Sequence, residues 1–198
     1  MFEWILHVIE GGGYLGLFAL MVLENIFPPI PSEVILPLAG YSVATDGMTL
    51  PLVIMVATLG TVVGTLPWYY AGRIFGAVRL KRLSVRYGRL LTLSPSDIEA
   101  AEEWFRAHGK KVVFFGRLVP TVRTLISVPA GFARMPLASF LVYSFAGSLL
   151  WTTLLVYLGF LLGNQHDRVA DYLNPISDIV VVIIVAAYLY RVVTFKAK

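Results

Sequence analysis

The stretch Glu24-Asn25-Ile26-Phe27-Pro28-Pro29-Ile30-Pro31-Ser32-Glu33 lies inside an apolar run from Tyr14 to Tyr41 and prevents that run from being one straight helix. Interior proline removes a backbone hydrogen bond and clashes with the preceding turn, so Pro28, Pro29 and Pro31 act together as a stop. A second apolar run, Val112 to Phe132, is broken in the same way at Pro120, with Arg117 and Arg123 on either side of the break. Each arm, of roughly 10 to 14 residues, is long enough to reach a membrane midplane and return. The expectation is therefore two re-entrant helical hairpins, residues 14–45 and 112–133. Broken backbone is tolerated at membrane depth only where it is buried in protein or lines a wet cavity.

The rest of the chain supplies the membrane context. Of its 198 residues, 58% are hydrophobic and 14% charged, and the mean hydropathy is +0.77, well above that of a water-soluble domain. Three further apolar segments, 50–72, 136–162 and 176–193, suit transmembrane helices, since a core of ~30 Å needs about 20 helical residues. The chain has no cysteine, which excludes disulfides, thiolate metal sites and a cysteine nucleophile. A cleavable signal peptide is not expected, because the first basic residue is Arg73. The net charge of +4 does not indicate nucleic acid, because the basic residues flank membrane segments and carry no nucleic-acid motif.

Nine of the sixteen Lys and Arg residues fall between Arg73 and Lys111, and Arg191, Lys196 and Lys198 lie near the C-terminus. By the positive-inside rule both regions face the cytoplasm, which sets alternating directions for the three membrane helices and places the C-terminus inside. The hairpin reading then leaves residues 1–13 as an external interfacial segment. Within 73–111, Arg79, Arg82, Arg86 and Arg89 share one helical face and Leu80, Leu83, Tyr87 and Leu91 another, the pattern of a helix lying on anionic lipid. A second short helix is expected after Ser94 as N-cap, with Pro95 in its first turn and Gly109 beyond its end.

The two halves also resemble one another. Leu38-Ala39-Gly40-Tyr41 matches Pro129-Ala130-Gly131-Phe132, with Pro29 and Pro120 at the same offset upstream, and Gly60, Tyr70, Gly72 and Gly76 align with Gly147, Tyr157, Gly159 and Gly163. Opposite directions of the two helices make this an inverted repeat, a design recurrent in transporters. The fold class expected is an all-α integral membrane protein: an inverted repeat of re-entrant hairpin plus transmembrane helix, followed by one more transmembrane helix. The paired glycines also fit ordinary small-residue helix packing.

Four ionisable residues flank the breaks: Glu24 and Glu33 in the first hairpin, Arg117 and Arg123 in the second. Inserting an Arg or Asp at a membrane-helix centre costs about 2.5 to 3.5 kcal/mol, so these groups need a role or a partner. One reading is a set of buried salt bridges locking the hairpins. The other is a site. Two guanidinium groups grip phosphate oxygens in planar forks, and a desolvated carboxylate can take up and release a proton. Glu33 also has the position of a helix-capping carboxylate. His7 and Glu10 read as a surface face, His108 as a helix-end residue, and Trp4, Trp68, Trp104 and Trp151 as interfacial or packing aromatics. No metal site and no cofactor are expected.

The Glu24–Glu33 segment and Phe115-Gly116-Arg117-Leu118-Val119-Pro120-Thr121-Val122-Arg123 together resemble the two signatures of the DedA family, also called SNARE-associated or VTT-domain proteins. The resemblance runs from about Tyr14 to about Arg191. It implies two facing re-entrant hairpins, a site near the midplane and lipid translocation that in several bacterial members depends on the proton-motive force. It implies phosphate binding by Arg117 and Arg123 and proton coupling or gating by Glu24 and Glu33. The Pro-Pro-x-Pro-Ser-Glu form is most similar to the branch that recycles undecaprenyl phosphate in the cytoplasmic membrane. The expected function is thus a non-enzymatic flippase for a polyprenyl phosphate, with lipid and protons as partners and homo-oligomerisation compatible with the reading. The alternatives are a phospholipid scramblase or phosphatidylethanolamine transporter, a membrane lipid phosphatase, and a small-ion transporter. The phosphatase alternative lacks a triad, a metal cluster or a lipid-phosphatase motif in the sequence.

Overall fold

The computed structural model describes residues 2–27, 32–45, 47–91, 95–120 and 122–161, and all regular structure among them is helical. The elements are α1 (Phe2–Ile26), α2 (Ser32–Thr45), α3 (Leu50–Leu91), α4 (Pro95–Gly116), α5 (Ser127–Phe132) and α6 (Leu137–Leu161). Three stretches are long and apolar enough to cross a membrane by length and composition alone, Trp4–Ile26, Leu50–Gly76 and Leu137–Leu161, although the first of them is folded back at Gly13. The expected helix at 176–193, the prolines Pro28, Pro29 and Pro31, the cap Ser94 and the side chains of the 79–91 stripe lie outside the described residues. The chain forms two compact units, one within Met1–Leu66 and Ser144–Ser177, the other including Pro67–Tyr143.

In the first unit, α1 is not one rod. Gly13 has φ 54° and ψ −136°, a conformation that glycine adopts without a side-chain clash and that no helix contains. The chain doubles back there, so that Gly16 lies against the backbone of Val8. The arm from Tyr14 to Ile26 packs on α2. Beyond α2 the chain returns to its start: the backbone N–H of Thr49 donates to the Tyr14 hydroxyl at 2.8 Å. Tyr14–Ile26 and Ser32–Thr45 are therefore the two arms of a helical hairpin, of 13 and 14 residues. Their apolar faces meet in a cluster that includes Leu17, Leu20, Ile35, Leu38, Val53 and Val156.

The second unit departs from the sequence expectation in two places. Gly109 does not end a helix; α4 runs through it to Gly116. A glycine in a helix interior weakens it but does not break it, and here the missing side chain leaves room for Phe105 and for the Met135 sulfur. The return arm is also not a long helix. Residues 117–120 and 122–126 form turns held by bonds such as Leu118 N–H to Phe115 O (3.0 Å) and Arg123 N–H to Val119 O (3.0 Å), and among the described residues of this arm only Ser127–Phe132 are helical. Pro120 supplies no N–H, so the helical ladder of α4 ends just before it and short-range turns satisfy the backbone. A smaller apolar cluster, with Tyr69, Phe105, Val113, Ala130 and Phe140, closes this unit.

The helix expected to end near Arg73 is followed directly by helical backbone to Leu91, although Gly76 adopts a positive φ of 63° where the apolar span ends. The matched halves of the sequence make matched contacts. A β-carbon on Gly40 would overlap the Val156 carbonyl and stand 2.8 Å from Phe160 N; one on Gly131 would overlap the Tyr69 carbonyl and stand 2.8 Å from Arg73 N. Gly159 likewise presses on Pro37, and Gly72 on Val128. Buried hydroxyls follow the same alignment, Thr61 with Ser148 and Thr65 with Thr152. Each unit thus joins the hairpin of one half to the long helix of the other.

Candidate substrate site

The acidic pair belongs to the first unit. Glu24 lies in the last turn of α1 before the proline cluster and is 3% exposed. Its neighbour Asn25 is fully buried and donates from Nδ2 to a Glu24 carboxylate oxygen (2.7 Å) and to the Met21 carbonyl (3.0 Å). The amide therefore ties the carboxylate to the helix that carries it. Gly64 of α3 explains why Asn25 stays put: a β-carbon there would stand 2.7 Å from the Asn25 Cβ, so the two helices are nearly in backbone contact. Glu33 sits in the first turn of α2, where a carboxylate complements the helix dipole, and is half-buried. Before it, Ser32 is fully buried.

The basic pair belongs to the second unit. Arg117 follows the last residue of α4 and is 1% exposed, the largest fully buried side chain among the described residues. Its N–H is shared between the Val113 and Phe114 carbonyls, each at 3.2 Å, a pattern common where a helix tightens at its end. The guanidinium donates from Nη2 to Ser127 Oγ (3.1 Å) and lies over the Phe140 ring with Cζ 5.6 Å from its centroid. Phe140 stacks on Tyr69 at 4.6 Å, and Arg73 donates to the Tyr69 hydroxyl at 2.7 Å. An aromatic face takes up part of the positive charge at modest desolvation cost. Arg123, 7% exposed, is held by the turn that brings its N–H to Val119 O.

Glu24 and Glu33 thus lie in the first unit and Arg117 and Arg123 in the second, with Glu24, Arg117 and Arg123 buried and Glu33 half-buried. Asn25, Ser127, Phe140 and Tyr69 were not singled out from sequence. Asn25 could have been, since an amide between an acidic residue and a proline stop in an apolar run calls for a partner; Ser127 and Phe140, 10 and 23 positions from Arg117, left no such signal. Among the described residues no group of three or more His, Asp or Glu side chains is placed to hold a metal ion.

The family model of the VTT domain matches residues 30–161. The chain belongs to the VTT-domain, or DedA, family. With several relatives the similarity extends over the whole chain. An "Alkaline phosphatase-like protein" of Lactococcus lactis is 42% identical over 100% of this chain and 93% of its own length. "Undecaprenyl phosphate transporter A" of Staphylococcus aureus is 33% identical over 100% of this chain and 98% of its own, and the Bacillus subtilis protein of that name is 35% identical over 94% and 92%. No solved structure gives a significant match.

Proposed function

We propose that this protein is a transporter that moves a polyprenyl phosphate, of the undecaprenyl phosphate class, across the cytoplasmic membrane. Arg117 and Arg123 hold the phosphate, and Glu24 and Glu33 exchange the protons that drive or gate the movement. Both broken segments are re-entrant hairpins, and the two halves of the chain form an inverted repeat whose exchange of conformations gives access to either side. The C-terminus faces the cytoplasm.

The observation that carries this reading is the burial of both guanidinium groups in an apolar chain. A cation withdrawn from water is costly in a membrane protein and as a rule marks a substrate or ion pathway. The fork geometry of arginine is suited to the oxygens of a lipid phosphate. The names of the Staphylococcus and Bacillus relatives support the choice of cargo.

The test is translocation of labelled undecaprenyl phosphate beside phosphatidylethanolamine in liposomes, with and without a pH gradient, for wild type and Arg123→Ala. Selective movement of the polyprenyl phosphate, dependent on the gradient and lost in the variant, is the expected result. Equal movement of both lipids means a scramblase, and movement of neither overturns the lipid reading. The phosphatase-like name of the Lactococcus relative makes inorganic phosphate the product to assay in parallel; its release by pure protein would replace transport with hydrolysis.

A further inference from the structure

Charge is divided along α4. Its first half carries Asp97, Glu99, Glu102 and Glu103, and its second half Arg106, Lys110 and Lys111. Between that basic half and the link from α5 to α6 lies a cavity of about 830 Å³ whose boundary includes Phe105, Arg106, Lys110, Lys111, Arg134 and Met135. Its volume is that of a site for a molecule far larger than a free inorganic anion. Arg106 is answered by Glu102 at 3.0 Å, whereas among the described residues Lys110, Lys111 and Arg134 enter no ion pair.

Two features show that this is more than a solvated basic surface. Arg134 has φ 54°, the one positive φ outside glycine among the described residues. Glycine or asparagine would occupy that turn with less strain, so an arginine there points to use of its side chain. The floor beneath the cations is apolar: Phe105 and Met135 are buried members of the second unit's core. A cationic rim over an apolar floor matches an amphiphile. The position along α4 agrees, since eight residues separate Gly109 from Arg117, about 12 Å of helix, against a half-thickness of about 15 Å for a hydrocarbon core. If Arg117 lies deep, the cavity lies at headgroup level.

We infer that this cavity is a binding site for an anionic phospholipid, distinct from Arg117 and Arg123: its phosphodiester sits on Lys110, Lys111 and Arg134, and its glycerol and first chain carbons rest on Phe105 and Met135. The inference needs the membrane setting but not the proposed cargo.

The test is native mass spectrometry of the full-length protein released from phosphatidylcholine nanodiscs into which phosphatidylglycerol is titrated. Wild type should retain phosphatidylglycerol in preference to phosphatidylcholine. At about 1 kcal/mol per basic group near a lipid surface, the double change Lys110→Gln and Lys111→Gln should weaken retention about thirtyfold, and Arg134→Gly about fivefold. Arg134→Gly relieves the positive φ, so its loss of lipid cannot be put down to misfolding, and Arg134→Lys should restore most of the binding. Undiminished retention in both the double variant and Arg134→Gly, or equal retention of phosphatidylcholine by wild type, would overturn the site. Displacement of the lipid by inorganic phosphate at comparable concentration would overturn the lipid as its ligand.

Discussion

Gly131 approaches Tyr69 so closely that a β-carbon on the glycine would overlap the tyrosine carbonyl and come within 2.8 Å of Arg73 N. Gly40 stands in the same relation to Val156, with Phe160 N also at 2.8 Å. These are the pairs that result from laying one half of the sequence over the other. Two glycines chosen by chance would not select equivalent carbonyls on equivalent helices. The repeat is therefore one of packing as well as of letters, with hairpin and long helix exchanged between halves.

Gly131→Ala and Gly40→Ala should each destabilise the protein by about 3 kcal/mol or more, because the atoms met are backbone and cannot turn aside. Gly11→Ala and Gly12→Ala meet nothing within 4 Å and lie on a helix, so they should be neutral or stabilise slightly. Thermal unfolding of the four variants in detergent checks the contrast. Similar melting temperatures for Gly131→Ala and Gly12→Ala would refute the close approach.

Much of this was legible in the sequence because membrane chemistry leaves coarse marks. Proline next to a charge in an apolar run announces a break, as at Pro120, whereas Pro37 and Pro67, with no charge beside them, are carried inside helices; the charges announce burial, and Glu24, Arg117 and Arg123 are indeed nearly inaccessible. Gly109 misled because glycine ends helices by adopting a positive φ, and nothing local reveals when it instead makes room for a distant Met135. The same limit hid Ser127 and Phe140, whose relation to Arg117 depends on the turns at 117–120 and 122–126. Charge also breaks the symmetry that packing keeps: in the alignment of the halves Ser32 falls opposite Arg123, so one hairpin is acidic and the other basic.

Asn25 positions Glu24 by donating to its carboxylate at 2.7 Å. Asn25→Ala removes that bond to a charged group, worth about 1.5 to 3 kcal/mol, and transport should fall about tenfold or more if Glu24 must be held in place. Asn25→Asp should be worse, since it loses both donated bonds and sets a carboxylate beside a carboxylate. Transport rates in liposomes at equal reconstituted protein measure the order. A rate for Asn25→Asp at or above that of Asn25→Ala would exclude a positioning role.

Tyr14 and Thr49 close the first hairpin through the 2.8 Å bond from the Thr49 N–H to the phenolic oxygen. Tyr14→Phe removes the acceptor while keeping the ring and should cost about 1 kcal/mol. Hydrogen exchange at the Thr49 amide should rise in the variant, with little change in the second unit. Unaltered protection at Thr49 would show that the hairpin closes without this bond.

Arg117 decides between a lock and a site. If its guanidinium serves to hold the fold, Arg117→Met should cost about 3 to 5 kcal/mol, the usual penalty for breaking a buried charged interaction. If the guanidinium is instead held for a substrate, the loss should be smaller, because an apolar side chain of similar length relieves part of its desolvation. The aromatic stack of Phe140 on Tyr69 is ready to receive a methionine thioether. We expect Arg117→Met to fold with a melting temperature near that of wild type and to carry no phosphate-bearing lipid. Ser127→Ala, which leaves the guanidinium without its 3.1 Å acceptor, should by contrast lose about 1 to 3 kcal/mol of stability and only part of the transport. The double variant should be no less stable than Arg117→Met, since the serine then has no guanidinium to receive. A steep loss of stability in Arg117→Met would return the residue to the role of a structural lock.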